Sequence, residues 1–104
     1  MSKHATIDLI ADVWLYSADE SSRKQALLDG YRCPLFVSED KNLGGWDTQM
    51  SFAGEPFELG TKRRVGFRFL SNEGATTIRQ AGRFYLWETG FIGEGQVIEG
   101  AGHD

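Results

Sequence analysis

Apolar and polar side chains alternate along most of the chain with a two-residue period, the pattern of strands that present one face to a core. Ile7 to Tyr16 sets Leu9, Ala11, Val13 and Leu15 on one face and Ile10, Asp12, Trp14 and Tyr16 on the other. Because both faces carry apolar groups, Trp14 and Tyr16 are expected to lie against a covering loop or a partner. Ser17 to Asp29 is polar and turn-rich and reads as a long loop; loops of about a dozen residues are uncommon in small domains and often functional. Tyr31 to Ser38 resumes a strand with Leu35 and Val37, and Pro34 confines it to an edge, a bulge or a strand beginning. A second loop, Glu39 to Gly45, ends on a Gly-Gly pair. Trp46, Thr48, Met50 and Phe52 then alternate with Asp47, Gln49 and Ser51. After a turn at Ala53 to Pro56, Val65, Phe67 and Phe69 alternate with Arg64, Gly66 and Arg68 in a strand from Arg63 to Leu70 whose cations point to solvent.

Ser71 to Gly82 is irregular, and its Thr76, Thr77 and Ile78 suit either a short strand or a helical turn. Phe84 and Leu86 alternate with Arg83, Tyr85 and Trp87, and Thr89-Gly90 separates this run from Phe91 to Glu99, a hairpin signature. About six short strands and no convincing helix predict an all-β fold, a small six-stranded antiparallel barrel that removes sheet edges by closing on itself. Its inward residues are expected to be Val13, Leu15, Leu35, Val65, Phe67, Phe69, Phe84 and Leu86.

Composition adds bounds. The 104 residues, 40% hydrophobic and 12% aromatic, predict a single domain over 1–104 with short flexible ends at about 1–6 and 99–104. Eleven Lys and Arg against fifteen Asp and Glu leave a net charge of −4, a field that opposes nucleic acid and anionic membranes except at local patches. One cysteine, Cys33, cannot close an internal disulfide and reads as a packed small hydrophobe. With no secretory apolar stretch and no run long enough to span a bilayer, a cytoplasmic location without membrane contact is expected.

The chemistry of catalysis is missing. The histidines, His4 and His103, sit near the two ends, so neither a nucleophilic triad nor a zinc site is expected. Gly93-Glu94-Gly95 lies late in a strand and reads as a barrel-corner bend or bulge rather than a dinucleotide turn. No phosphate-binding loop occurs, so no nucleotide, cofactor or metal is expected and the protein is read as a non-enzyme. Lys62-Arg63-Arg64, with Arg68 beyond, forms the one basic run, suited either to phosphate contact or to charge protection of a strand edge.

Two stretches carry a family resemblance. The first comprises Ala11-Asp12-Val13-Trp14-Leu15-Tyr16, Asp19-Glu20-Ser21-Ser22-Arg23-Lys24 and Gly30-Tyr31-Arg32-Cys33-Pro34-Leu35-Phe36. It resembles the start of the C-terminal, third domain of elongation factor Tu, where a strand leads to an acidic-Gly-Gly-Arg-His loop and a Gly-Tyr-Arg-Pro strand. The second, Gly82-Arg83-Phe84-Tyr85-Leu86-Trp87-Glu88-Thr89-Gly90 with Ile92-Gly93-Glu94-Gly95-Gln96-Val97, resembles that domain's closing hairpin. Leu59-Gly60-Thr61 is weakly similar to the Pro-Gly-Asp turn between them, and the two stretches span about half the chain. The resemblance implies a six-stranded antiparallel barrel that, in the full factor, packs on the GTPase domain, touches the T stem of aminoacyl-tRNA and helps bind the exchange factor.

Within that resemblance Arg23 and Gly90 match tRNA-contacting positions, and the Ser17 to Asp29 loop is implied to be ordered by packing on the barrel. Ser21-Ser22 replaces the Gly-Gly pair, Lys24 the histidine and Trp87 the arginine that opens the hairpin turn. The expected function is a non-catalytic binding module for a protein partner in a translation-related context, with Trp14, Tyr16 and Trp87 as contact candidates. A weak tRNA or RNA contact through Arg23, Lys24, Gly90, Lys62, Arg63 and Arg64 is the alternative, and an inhibitor or immunity protein on the same scaffold is a third.

Overall fold

The structure, a computed structural model, describes residues 7–40 and 44–100. Its elements are β1 (Leu9–Leu15), β2 (Arg32–Phe36), β3 (Trp46–Ser51), β4 (Lys62–Phe69), α1 (Asn72–Ala81), β5 (Arg83–Trp87) and β6 (Phe91–Gly100). The strands form a closed barrel in the order β1-β4-β3-β2-β5-β6, every neighbouring pair antiparallel. The expected all-β barrel is therefore the fold. Residues 1–6, with His4, and the end beyond 100, with His103, lie outside the described residues, as do 41–43 of the loop after β2. β6 runs to Gly100.

Pro34, which has no amide hydrogen for a ladder, is accommodated where the pairing of β2 with β5 is incomplete. It sits inside β2, opposite Asp47 of β3, while the pairing of β2 with β5 begins one residue later at Leu35 opposite Leu86. Six strands bring their inward residues into one core. Val13, Leu15, Leu35, Val65, Phe67, Phe84 and Leu86 are buried in it as expected, and Phe69 packs against it partly exposed.

The loops add core residues that alternation does not reveal. Leu27 and Phe57, from two separate loops, exchange backbone hydrogen bonds of 2.9 and 2.8 Å and are both buried. Full burial of a leucine side chain contributes about 2 kcal/mol, so Leu27 ties the Ser17 to Asp29 loop to the barrel.

Gly93 and Gly95 face inward opposite Leu86 and Phe84. A Cβ at Gly95 would run into the Phe84 ring, and one at Gly93 would lie 2.6 Å from the Trp14 carbonyl oxygen. Beyond the bend or bulge expected there, these glycines leave room for close packing, and the register shifts fall to either side, at Leu86/Trp87 and at Ile10/Ala11.

The ambiguous segment after β4 is a ten-residue helix, which corrects the expectation of no helix. Ser71 caps it by accepting from the Gly74 amide at 2.9 Å, and Gly82 ends it at φ 82°, a left-handed conformation that glycine adopts without strain. Ala75 and Ile78 are buried, and Gly74 lets the helix approach Trp46 and Phe69, since a Cβ there would lie 3.0 Å from Trp46. The β-branched pair Thr76-Thr77 hides this helix from propensity.

Candidate functional site

The structure brings three of the sequence candidates together. The Ser17 to Asp29 loop packs on the β5–β6 hairpin, so that Arg23 and Lys24 stand beside Glu88, and Ser22 beside Thr89 and Gly90. Arg23 donates from Nη1 to Glu88 Oε2 at 2.7 Å, from Nε to the Gln25 carbonyl at 2.6 Å and from Nη2 to the Ala26 carbonyl at 3.1 Å. Its guanidinium lies 4.9 Å from the centre of the Tyr31 ring, and the Tyr31 hydroxyl donates to the same Glu88 oxygen at 2.9 Å. Thr89 donates to the Ser22 hydroxyl at 2.9 Å across the same contact. Arg23 thus directs three of its five donors into the protein as the pin of the loop. Lys24 is exposed, with Nζ 2.7 Å from the Ala18 carbonyl.

The basic run divides in the same way. Arg63 points along the inward side of β4, lies 4.7 Å from the centre of the Phe52 ring and donates to the carbonyls of Ala53 and Glu55 at 2.6 Å each. It therefore caps the Ala53 to Pro56 turn. Arg64 pairs with Asp12 at 3.1 Å, and that hydrogen bond holds the Asp12 carboxyl below the usual carboxylate range. Lys62 and Arg68 are exposed, Arg68 donating to Gln49 Oε1 at 3.1 Å.

The aromatic candidates lie on the outer face of the barrel. Strand register aligns Lys62, Trp14, Glu94 and Tyr85 in one row across β4, β1, β6 and β5, and Arg64, Asp12, Gln96 and Arg83 in the next. A groove of about 500 Å³ runs over these rows to the end of α1 at Ala81 and Gly82. Trp14 is 54% exposed, so among the described residues no loop covers it. Tyr16 is half-buried and donates to Glu94 Oε1 at 3.0 Å; burial first, and then this bond and the nearby charges of Glu94 and Glu39, push its hydroxyl pKa well above the ordinary tyrosine value. Trp87 belongs to an adjoining aromatic cluster, 4.9 Å from Phe91 and 5.9 Å from Phe36 between ring centres, and Phe91 reaches Tyr85 at 5.9 Å.

Sequence reasoning missed Glu94 and Tyr85 as members of this face, because their neighbours in space are set by strand register. Period-2 alternation marked Tyr85 as outward, but nothing in the sequence placed it across β6 from Trp14. A second groove, about 270 Å³, crosses the opposite outer surface, where Arg32, Gln49 and Arg68 share a row beside Leu70.

Cys33 is 4% exposed, and burial pushes its thiol up to about 12. Among the described residues no group of three His, Cys, Asp or Glu side chains is placed to hold a metal ion, and no helix is long and apolar enough to cross a membrane. No family model matches the chain, and no curated protein matches it.

Proposed function

We propose that the protein is a non-catalytic binding module that docks a protein partner on the outer face of β1, β6 and β5. The observation that carries this function is Trp14, a large side chain left 54% exposed at the rim of a groove, with Tyr85 and the Tyr16–Glu94 pair beside it. Interfaces concentrate their binding energy in tryptophan, tyrosine and arginine anchors, and leaving an indole in water costs apolar burial that a partner would recover. The translation-related, cytoplasmic setting rests on the resemblance of the two quoted stretches to the third domain of elongation factor Tu. No nucleotide, cofactor or metal takes part in this function, and tRNA contact is the competing one.

The engagement of Arg23 within its own loop weighs against tRNA, since few phosphate contacts remain at that site beyond Lys24. Affinity capture from native lysate with wild-type, Trp14→Ala and Lys24→Glu proteins tests the choice, alongside titration of aminoacyl-tRNA at two salt concentrations. A protein captured by wild type and Lys24→Glu but lost with Trp14→Ala is expected. Saturable tRNA binding at physiological salt, lost in Lys24→Glu, would replace the protein-partner function with the RNA one.

A further inference from the structure

We propose that the groove beside Trp14 receives an arginine side chain of the partner, its guanidinium set between Trp14 and Tyr85 and paired with Glu94. The proposal rests on the docking face described above and adds the chemistry that the face recognises. Trp14 on β1 and Tyr85 on β5 flank Glu94 on β6 in one row, so their backbones stand two strand spacings apart, about 10 Å. That leaves a slot between two aromatic residues with a carboxylate at its centre.

Glu94 is oriented for this role. The Tyr16 hydroxyl holds Oε1 at 3.0 Å, and among the described residues Glu94 takes part in no ion pair, unlike Asp12 with Arg64 and Glu88 with Arg23. Glu39 adds negative potential near Tyr16. A cation over an aromatic face is attracted by the ring quadrupole. Guanidinium is the cation whose planar fork both stacks on rings and bonds a carboxylate through two parallel hydrogens.

Basic groups also border the slot. Lys62 stands opposite Trp14 on the far side from Glu94, and Arg83 lies one row away, opposite Gln96. They would repel an arriving guanidinium and would attract an anion, so the sign of the guest is decided by which of the two sets dominates at the centre. Glu94 lies in the row between the two rings, whereas Lys62 is at its end.

The experiment titrates N-acetyl-arginine methylamide into the intact protein and follows the Trp14 indole N–H by two-dimensional NMR, assigned through its loss in Trp14→Phe. The neutral citrulline analogue is the control for shape. Saturable shifts with the arginine compound, absent with citrulline, are expected. Glu94→Gln, which keeps an oxygen to accept from Tyr16, should weaken binding about tenfold, and Lys62→Gln should strengthen it about twofold to threefold. Equal shifts with both compounds, no saturable shift, or the reverse order of the two variants would overturn the proposal, and the wild-type comparison decides it even if a variant fails to fold. A negative titration with capture still lost in Trp14→Ala would leave the face standing and remove only its chemistry. Capture insensitive to Trp14→Ala would remove the face itself.

Discussion

Replacing Arg23 with alanine should release the Ser17 to Asp29 loop from the β5–β6 hairpin. The wild-type side chain is 17% exposed and makes hydrogen bonds of 2.6, 2.7 and 3.1 Å, two to backbone carbonyls and one to Glu88. A hydrogen bond with a charged partner contributes about 1.5 to 3 kcal/mol when water is excluded. Here Glu88 is 31% exposed, so solvent takes up part of the loss on its side. Ordering the long arginine side chain also costs about 2 kcal/mol of rotamer entropy that the variant recovers. The balance is a destabilisation of about 2 kcal/mol. Urea unfolding should show a lower midpoint at constant slope, and hydrogen exchange should accelerate at the Leu27 amide, which donates to the Phe57 carbonyl at 2.9 Å. A loss below about 0.5 kcal/mol with unchanged exchange at Leu27 would refute the pin. The same reasoning makes charge reversal at Arg23 a perturbation of the fold, which is why Lys24→Glu is the informative variant for RNA.

Gly95→Ala should cost about 1 to 3 kcal/mol in urea unfolding, because its methyl group meets the Phe84 ring; a neutral effect would show that the ring moves aside freely. Tyr16 and Tyr31 both have hydroxyl pKa values raised in the folded protein, each by burial first and then by its bond to a glutamate. Their contribution to stability is therefore complete below the unfolded value of about 10 and declines as pH rises above it. Stability measured from pH 8 to 11 should fall less steeply in Tyr16→Phe than in wild type, and parallel curves would contradict the assignment. Cys33, buried with its thiol pushed up to about 12, should resist thiol reagents at pH 8 until the protein unfolds; rapid labelling of the native protein would be the contrary result.

Strand faces were legible wherever alternation was clean, as at Val13 and Leu15, Val65 and Phe67, and Phe84 and Leu86, because period 2 follows directly from the pleat. The hairpin around Thr89-Gly90 was legible from turn chemistry. What escaped was whatever depends on two distant segments at once. Leu27 and Phe57 sit in loops without periodicity and become core only through their mutual bridge. Arg63 occupies an inward strand position, and only the fold supplies the carbonyls of Ala53 and Glu55 that receive it. The helix after β4 had its Ser71 cap and Gly82 stop in plain view, yet its buried face amounts to Gly74, Ala75 and Ile78, too little to show a helical period. In the candidate site, Trp14 and Tyr16 were recognisable as apolar residues on an outward face, whereas the partnership of Tyr16 with Glu94 spans 78 positions and required the register of β1 against β6.

The central claim, a protein-docking face at Trp14, is tested most directly by site-specific photocrosslinking in native cells. A benzophenone amino acid is placed in turn at Gln96 in the groove beside Trp14, at Lys24 in the loop and at Thr76 on the exposed side of α1. A docking face at Trp14 predicts a discrete crosslinked protein from position 96 and background from the other two. Crosslinks confined to position 24, or yields equal at all three sites, would contradict it.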